Sequence, residues 1–207
     1  AGIRKTLALN KGVLQANADY LLFIDPDCLA EPTWVEQHLS EREENRYLIG
    51  RRVSFREKYM QYINDDFIKS AKFCKLNLFN IWQASIGNIK HFEKMLKFDN
   101  KLIRYIIHFK KSTYIVGCNF SCWYKDFEKI NGYNNEMAGL GGEDVELHIR
   151  FRKNGYHEKS VKYKTTVYHL YHPDRKNDDL KEKILQIAYD PNYLRAESGL
   201  KEAKYIE

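Results

Sequence analysis

Residues 20–27 read Tyr-Leu-Leu-Phe-Ile-Asp-Pro-Asp, a short apolar run that ends at two carboxylates. An apolar run of this length without polar alternation is typical of a strand covered on both faces, as in a parallel sheet. Pro26 has no amide hydrogen to continue a sheet, so the strand is predicted to stop before it. Ligands of open α/β sheets bind beyond the carboxyl ends of the strands. Asp25 and Asp27 can hold a divalent cation there, although an ordinary solvated turn explains the pattern equally well.

Helical and strand-like segments alternate along the rest of the chain, which indicates the α/β class. Apolar residues recur at helical spacing around Leu7 and Val13 and again around Leu147, whereas β-branched and aromatic runs favour strands. The predicted helices cover residues 4–17, 32–44, 143–153 and 179–188, and the predicted strands cover residues 20–24, 47–55, 114–124 and 162–169. Residues 55–112 are predicted to form two or three further helices.

Length and composition are those of an ordinary globular protein. The chain has 207 residues, of which 43% are hydrophobic and 30% are charged, so disorder and a disulfide-stapled miniprotein are excluded. Its apolar runs are too short to cross a bilayer, and no secretion signal is recognised. Its four cysteines form no CxxC pair, which is typical of reduced thiols in the cytosol. We therefore expect one cytoplasmic domain over residues 1–207.

Positive charge is concentrated in the basic segment, which we define as residues 55–112. This segment holds twelve Lys or Arg residues against five acidic residues, a net charge of +7, whereas the whole chain carries +6. Aromatic residues are interleaved with these charges, so the segment can face a phosphorylated glycan, a membrane surface or nucleic acid. A solvated helical face over an aromatic core explains the same pattern. No sequence signature of a nucleic-acid-binding module supports the nucleic-acid alternative.

Two further motifs carry groups that can do chemistry. Gly141-Gly142-Glu143-Asp144 opens a predicted helix, where acidic side chains are stabilised by the helix dipole and can equally supply a general base. His169 and His172 are three residues apart near the end of a predicted strand. Two such histidines can reach one metal ion, although this spacing alone is a weak signal.

Six blocks of the sequence, in order, resemble glycosyltransferases of family two with a GT-A fold. The later blocks are similar to the carboxyl half shared by bacterial lipopolysaccharide and capsule transferases, chondroitin polymerase domains and β-1,4-galactosyltransferases. The blocks are residues 8–12 (ALNKG), 19–27 (DYLLFIDPD), 116–121 (VGCNFS), 129–133 (KINGY), 139–147 (GLGGEDVEL) and 168–173 (YHLYHP). The resemblance implies a central, mostly parallel sheet flanked by helices. It also implies that the amino-terminal strands that hold the uracil base in these enzymes are missing before Ala1.

The resemblance also implies the metal site. It makes Asp27 a ligand of Mn²⁺ or Mg²⁺ and places Asp25 near the ribose or a metal-bound water. His172 falls on the late metal-ligand position of the family, and His169 on a position that holds another ligand in some members.

The catalytic and substrate-binding residues are implied in the same way. Asp144 matches the catalytic base, Glu143 matches an acid that contacts the acceptor, and Gly142 lies beside both. Asn119 belongs to a matched block that borders the substrate site, and Arg4 lies where a basic residue often meets the nucleotide.

The function implied is that of an inverting, metal-dependent hexosyltransferase that uses a UDP-linked sugar. Its acceptor would be a glycan or glycolipid in bacterial lipopolysaccharide or capsule synthesis, with peripheral contact to the inner face of an anionic membrane. Leu140 departs from the family pattern because relatives carry tryptophan there, which removes a stacking surface for the acceptor. The alternative is a non-catalytic GT-A-like module that binds a glycan or a membrane.

Overall fold

The computed structural model describes residues 4–108, 114–137, 141–173 and 186–206. The described α-helices are α1 (Lys5–Leu14), α2 (Trp34–Glu41), α3 (Asp65–Lys69), α4 (Leu78–Ser85), α5 (Lys101–His108), α6 (Tyr124–Lys129) and α7 (Glu143–Lys153). The described strands are β1 (Tyr20–Phe23), β2 (Cys28–Ala30), β3 (Arg46–Ile49), β4 (Arg51–Phe55), β5 (Ile89–Lys90), β6 (Phe120–Trp123), β7 (His157–Ser160) and β8 (Thr166–His169).

The strands form two four-stranded sheets, with the orders β1-β6-β3-β7 and β2-β8-β4-β5. The α/β class is confirmed, but the expected mostly parallel sheet is wrong for the described strands. Only β3–β7 and β4–β8 pair in parallel, whereas β1–β6, β2–β8, β3–β6 and β4–β5 are antiparallel. The apolar run of β1 reports its packing and not its direction. β1 is an edge strand of the described sheet, but Leu21 and Phe23 belong to one core cluster and Leu22 packs against another.

The predicted strand over residues 47–55 is divided at Gly50 between the two sheets. β3 lies in the first sheet and β4 in the second, and the Gly50 amide donates to the Asn119 carbonyl at 2.8 Å. A Cβ at Gly50 would lie 2.2 Å from Cγ of Asn119, so only glycine allows the chain to pass this side chain. β3 and β4 are both inner strands of their sheets, so the joint places the end of β3 in the first sheet next to the start of β4 in the second.

The helix predictions are largely confirmed, and the strand predictions are less accurate. α1, α2 and α7 lie within their predicted ranges, whereas residues 114–124 contain only the short β6 and residues 162–169 only β8. Residues 55–112 contain the three short helices α3, α4 and α5, in line with the prediction, but β2, β5, β7 and α6 were not predicted. The helix expected over residues 179–188 falls mainly on residues 174–185, which lie outside the described part of the chain.

Two aromatic clusters form the core. One packs the first sheet against α6 and α7 through Tyr47, Phe120 and Phe151. The other packs the second sheet against the basic segment, where Tyr59 and Phe73 are almost completely buried. Part of the aromatic content of the basic segment is therefore core.

A buried ion pair anchors α7. The carboxylate of Glu146 receives two hydrogen bonds from the Arg150 guanidinium at 2.5 and 2.6 Å, and both side chains have no exposed surface. Arg150 also donates to the carbonyls of Ile130 and Gly132, each at 2.7 Å, and the Tyr193 hydroxyl donates to Glu146 at 2.9 Å. Because every polar group is satisfied, this network fixes α7 against the turn that follows α6.

The four cysteines are free thiols. In the described parts of the chain, the helices are too short or too polar to cross a membrane.

Candidate functional site

The first part of the site is the Asp-His cluster, which we define as Asp27, His169 and His172. Cys28 lies opposite His169 where β2 pairs with β8, and the Leu170 amide donates to the Asp27 carbonyl at 2.8 Å. Oδ2 of Asp27 then lies 3.5 Å from Nε2 of His169 and 3.2 Å from Nε2 of His172. Candidate ligand atoms of all three residues lie within 4.8 Å of one another.

The hydrogen bonding of His172 fits a metal ligand. Nδ1 of His172 lies 2.9 Å from the Pro173 carbonyl, which can only accept, so Nδ1 carries the proton. In the neutral imidazole, Nε2 therefore presents its lone pair to the Asp27 carboxylate. Two acceptors at this distance need positive charge between them, either a proton on the ring or a metal ion. Burial lowers the pKa of His169, which favours the neutral form that binds metals.

The second part of the site is an ion pair network around Lys5, at the start of α1. Its Nζ lies 3.1 Å from Oδ1 of Asp25, beyond β1, and 3.3 Å from Oε1 of Glu143, at the start of α7. Burial alone would lower the pKa of Lys5, but the carboxylates of Asp25, Asp144 and Glu143 outweigh burial and raise it. Arg4, the predicted nucleotide contact, precedes Lys5 and is exposed. The structure therefore adds Lys5, which the sequence analysis did not select.

The loop before α7 depends on two glycines. Gly141 and Gly142 have φ values of 106° and 93°, in the left-handed region that favours glycine. The Gly141 amide donates to Oε2 of Glu143 at 2.9 Å, and the Gly142 carbonyl accepts from the Glu146 amide at 2.9 Å. Glu143 is thus bonded to the loop and to Lys5, and it is nearly buried.

Asp144 has one carboxylate oxygen that is bound and one that is not. Oδ2 accepts from the Gly117 amide at 2.8 Å, whereas Oδ1 is buried and has no hydrogen-bond partner in the described part of the chain. A Cβ on Gly117 would lie 2.5 Å from Oδ1, so glycine is needed there. Burial raises the pKa of Asp144 to about 6, although Lys5 acts in the opposite direction. Asp144 is therefore mostly ionised near neutral pH and is still basic enough to accept a proton.

A cavity of about 460 Å³ lies beside Asp144. Its walls come from the start of β4, from the turn after β5, from the segment before β6 and from the start of α7. We call it the basic cavity, because most of its described lining side chains are cationic or can become so. The residues that line it besides Asp144 are Arg51, Arg52, His91, Lys94, Ile115 and Val116.

Asn119 lies beneath the site and is completely buried. Its Oδ1 accepts from Nε1 of Trp34 at 3.0 Å and from Nε2 of His38 at 2.8 Å, and its Nδ2 donates to the Arg51 carbonyl at 2.8 Å. Burial lowers the pKa of His38 to about 4, so its ring is neutral and Nδ1 accepts from the Ser121 hydroxyl. The amide of Asn119 is thus occupied by protein groups and does not reach the cavity surface.

The sequence of residues 4–129 matches the family model described as glycosyl transferase family 2. This chain belongs to that family. Residues 100–173 of this family-2 chain also match a family model described as the N-terminal domain of galactosyltransferase. A search of curated proteins found no match.

Forty-seven chains of solved structures match this family-2 chain. One is described as the crystal structure of GalNAc-T7 with UDP, GalNAc and Mn²⁺, with a TM-score of 0.56 and 12% sequence identity. The match covers 91% of this chain and 35% of that enzyme, so the family-2 chain spans about a third of the enzyme's length. The likeness shows the fold, which is GT-A.

The structure of the family-2 chain brings most predicted site residues into two groups. The Asp-His cluster is one group, and the network of Asp25, Lys5 and Glu143 beside Asp144 is the other. Asn119 is not at the surface of either group. The sequence pattern did not single out Lys5, Arg51 or Lys94, because their basic side chains are common types without a motif of their own.

Proposed function

We propose that this family-2 chain is part of an inverting glycosyltransferase that moves a hexosyl group from a nucleotide-diphospho-sugar to an acceptor hydroxyl. The observation that carries the proposal is Asp144, which lines a cavity and whose Oδ1 is buried without a hydrogen-bond partner among the described residues. A buried oxygen without a partner costs free energy, and an acceptor hydroxyl would supply the missing hydrogen bond. The presence of the Asp-His cluster in the same chain supports this assignment.

Asp144 is proposed as the general base. The acceptor hydroxyl donates to Oδ1, and its oxygen attacks the anomeric carbon from the face opposite the diphosphate. The new carbon–oxygen bond forms while the bond to the diphosphate breaks, so the configuration inverts and the proton remains on Asp144. The Gly117 amide holds Oδ2 at 2.8 Å, which keeps the carboxylate oriented during the transfer.

The Asp-His cluster is proposed to hold Mn²⁺ or Mg²⁺. A carboxylate with two imidazoles is a donor set that suits divalent transition metals, and the protonated Nδ1 of His172 leaves Nε2 available to bind. When bound, such an ion supplies positive charge that offsets the diphosphate of the donor. The solved structure of GalNAc-T7 with UDP and Mn²⁺ supports both the ion and a UDP-linked donor.

The remaining predicted residues are proposed to position substrates. Lys5 fixes the positions of the Asp25 and Glu143 carboxylates, because its ammonium lies 3.1 and 3.3 Å from them. We propose that Asp25 lies near the ribose, that Arg4 contacts the nucleotide and that Glu143 contacts the acceptor beside Gly142. For Asn119 the structure favours a supporting role, since its amide bonds to protein groups.

We propose that residues 1–207 belong to one domain. We also propose that the acceptor is a glycan or glycolipid of a bacterial cell surface. The sequence blocks shared with lipopolysaccharide and capsule transferases support this class, as does the galactosyltransferase match over residues 100–173.

A peripheral membrane contact is favoured by an exposed apolar face on α4. Leu78, Ile81 and Trp82 are 86%, 47% and 53% exposed, and their spacing places them on one side of the helix. Ile86, which follows the last residue of α4, is 52% exposed. All of them belong to the basic segment, whose net charge of +7 complements an anionic lipid surface. Such a contact would bring a glycolipid acceptor to the site.

The proposed reaction is tested by a donor screen on the full protein. Nucleotide sugars of different base and sugar are incubated with Mn²⁺ and mixed glycan acceptors, and the released nucleoside diphosphate is measured. We expect release with one class of donor that increases when an acceptor is added. Failure of every donor, together with absent binding of UDP and Mn²⁺, would instead support the non-catalytic binding module.

A further inference from the structure

The basic cavity collects positive charge that the described residues only partly balance, since Asp144 is the single acidic residue of its described lining. Arg51 and Arg52 open β4, and Lys94 comes from the turn after β5. In the described residues, none of these three side chains forms a salt bridge, and Arg51 donates only to the neighbouring Gly50 carbonyl at 3.1 Å. At the rim, Nδ1 of His91 lies 3.8 Å from Oε1 of Glu93, and the charge of Glu93 partly offsets that of Lys94.

The cationic groups disfavour one another in the unliganded chain. Burial lowers the pKa of Lys94. The carboxylate of Glu93 raises it, but the nearby charges of Arg51, Lys162 and Arg52 act with burial and the net direction is downward. Burial also lowers the pKa of Arg51. Crowded like charges of this kind cost free energy, and an anion bound between them would remove the cost.

The position of the cavity relates the charge of Arg51 and Lys94 to the acceptor rather than to the donor diphosphate. Arg52 also lies near the Asp-His cluster, where its charge acts with burial to lower the pKa of His169. Asp144, the proposed base, forms part of the wall, whereas the described lining includes none of the three residues of the Asp-His cluster. The acceptor hydroxyl must lie against the base, and the donor diphosphate must lie against the divalent cation. A guanidinium and an ammonium within the wall can bind a carboxylate or phosphate through charge-assisted hydrogen bonds.

We propose that the acceptor of this enzyme carries an anionic group, a carboxylate or a phosphate ester, and that Arg51 and Lys94 bind it in the basic cavity. Calling the bound anion part of an acceptor rests on the proposed function. The binding of anions to the cavity can be measured without turnover. Arg52 and His91, both exposed at the rim, would extend the same surface.

The test compares the thermal unfolding midpoint of the full protein in glucuronate, inorganic phosphate, glucose and chloride, with ionic strength matched by chloride. We expect glucuronate or phosphate to raise the midpoint above chloride, whereas glucose does not. The larger rise identifies carboxylate or phosphate as the preferred group. The rise should disappear in Arg51→Gln/Lys94→Gln and persist in Lys125→Gln, whose exposed side chain pairs with Glu44 away from the cavity.

Loss of positive charge should not unfold the Arg51→Gln/Lys94→Gln variant. If this double variant is poorly folded, the single Lys94→Gln variant replaces it, and the anion should then raise its unfolding midpoint less than that of the wild type. No anion-specific rise in the wild type, or an equal rise in Arg51→Gln/Lys94→Gln, would overturn the proposal. A fall in UDP affinity in that variant with Mn²⁺ present would also overturn it, because the cavity would then bind the donor diphosphate.

Measurements of sugar transfer distinguish a failure of this proposal from a failure of the proposed function. With an active donor, the KM for a uronic-acid or phosphorylated acceptor should rise on the order of 10- to 100-fold in Arg51→Gln/Lys94→Gln, the effect of losing a charged hydrogen bond. Transfer to neutral acceptors only would contradict the anionic acceptor while leaving the enzyme assignment intact. Anion binding that depends on Arg51 and Lys94, with no transfer from any donor, would contradict the enzyme assignment alone.

Discussion

Two acidic residues of α7, Asp144 and Glu146, have opposite environments although they are only two positions apart. Both oxygens of Glu146 are bound, by Arg150 and by Tyr193. Asp144 keeps one oxygen on the Gly117 amide and leaves the other buried and unpaired. A fully paired buried carboxylate fixes structure, whereas an unpaired one costs stability and is available to a substrate. The same helix therefore joins a structural anchor to the proposed base.

The largest expected effect is on transfer by Asp144→Asn. Asn keeps the shape and can still accept from the Gly117 amide, but it cannot take a proton from the acceptor. Loss of a general base typically lowers the rate by about 100- to 10,000-fold. The measurement is kcat with saturating donor and acceptor, together with the affinities for UDP and Mn²⁺, which should remain near wild type. Lost donor binding would make Asp144 a structural or metal residue, and full activity would leave Glu143 as the next candidate.

Glu146→Gln should have its largest effect on folding. The substitution leaves the Arg150 guanidinium buried without a counter-charge, which costs about 3–5 kcal/mol in the free energy of unfolding. Chemical denaturation of the full protein measures it. Glu158→Gln is the matched control, because Glu158 pairs with the half-exposed Arg152 and should cost no more than about 1 kcal/mol. Similar losses in the two variants would contradict a special role for the buried pair.

The Asp-His cluster is tested by Mn²⁺ binding. Asp27→Asn and His172→Ala should each weaken the Mn²⁺ affinity by at least about 10- to 100-fold. Substitution of a residue that only hydrogen-bonds to a metal ligand already has an effect of this size. Titration calorimetry at neutral pH measures the affinity. His157→Ala removes an exposed histidine of β7 and should not change it. Unchanged Mn²⁺ affinity in both cluster variants would contradict the assignment of the metal site. It would leave the assignment of Asp144 as the general base unaffected.

A smaller effect is expected at the membrane. Leu78→Ser/Trp82→Ala removes the most exposed apolar groups of α4 and should weaken binding to anionic liposomes about 10-fold or more, since each such group contributes about 1.5–3 kcal/mol when buried. Wild-type binding should also fall with salt. Tyr205→Ser, at a side chain that is 78% exposed elsewhere, is the control. Equal binding by both variants would leave the basic segment as a solvated face.

The sequence predicted the position of the Glu143 and Asp144 carboxylates but not their contacts. The pair of glycines before Glu143 and Asp144 predicted an acidic helix start, and the resemblance selected Asp144. Nothing local indicated which oxygen would be paired, because Gly117 is 27 residues away and Lys5 is 138 residues from Glu143. Such contacts depend on how the sheets assemble.

The fold was predicted at the level of its class and helices. The apolar run of β1 predicted a buried strand but not its antiparallel partner, because periodicity reports burial and not pairing. The division at Gly50 was not predicted, since its cause is the close approach of Asn119 from a distant part of the chain. The basic cavity was not predicted for the same reason. Lys94 is far from Arg51 and Arg52 in the sequence, and these side chains lie together only in the folded chain.

The free energy of unfolding of Asp144→Asn against pH tests most directly whether the folded chain keeps an unpaired carboxylate at Asp144. Its pKa is raised from 3.8 to about 6, so the folded state retains a proton that the unfolded state has lost between these pH values. The wild type should therefore lose stability relative to Asp144→Asn as pH rises from 4 to 7, by about 1–3 kcal/mol. We predict equal stabilities near pH 4 and a more stable variant at pH 7.5. A variant that is less stable at pH 7.5, as Glu146→Gln is expected to be, would contradict the account.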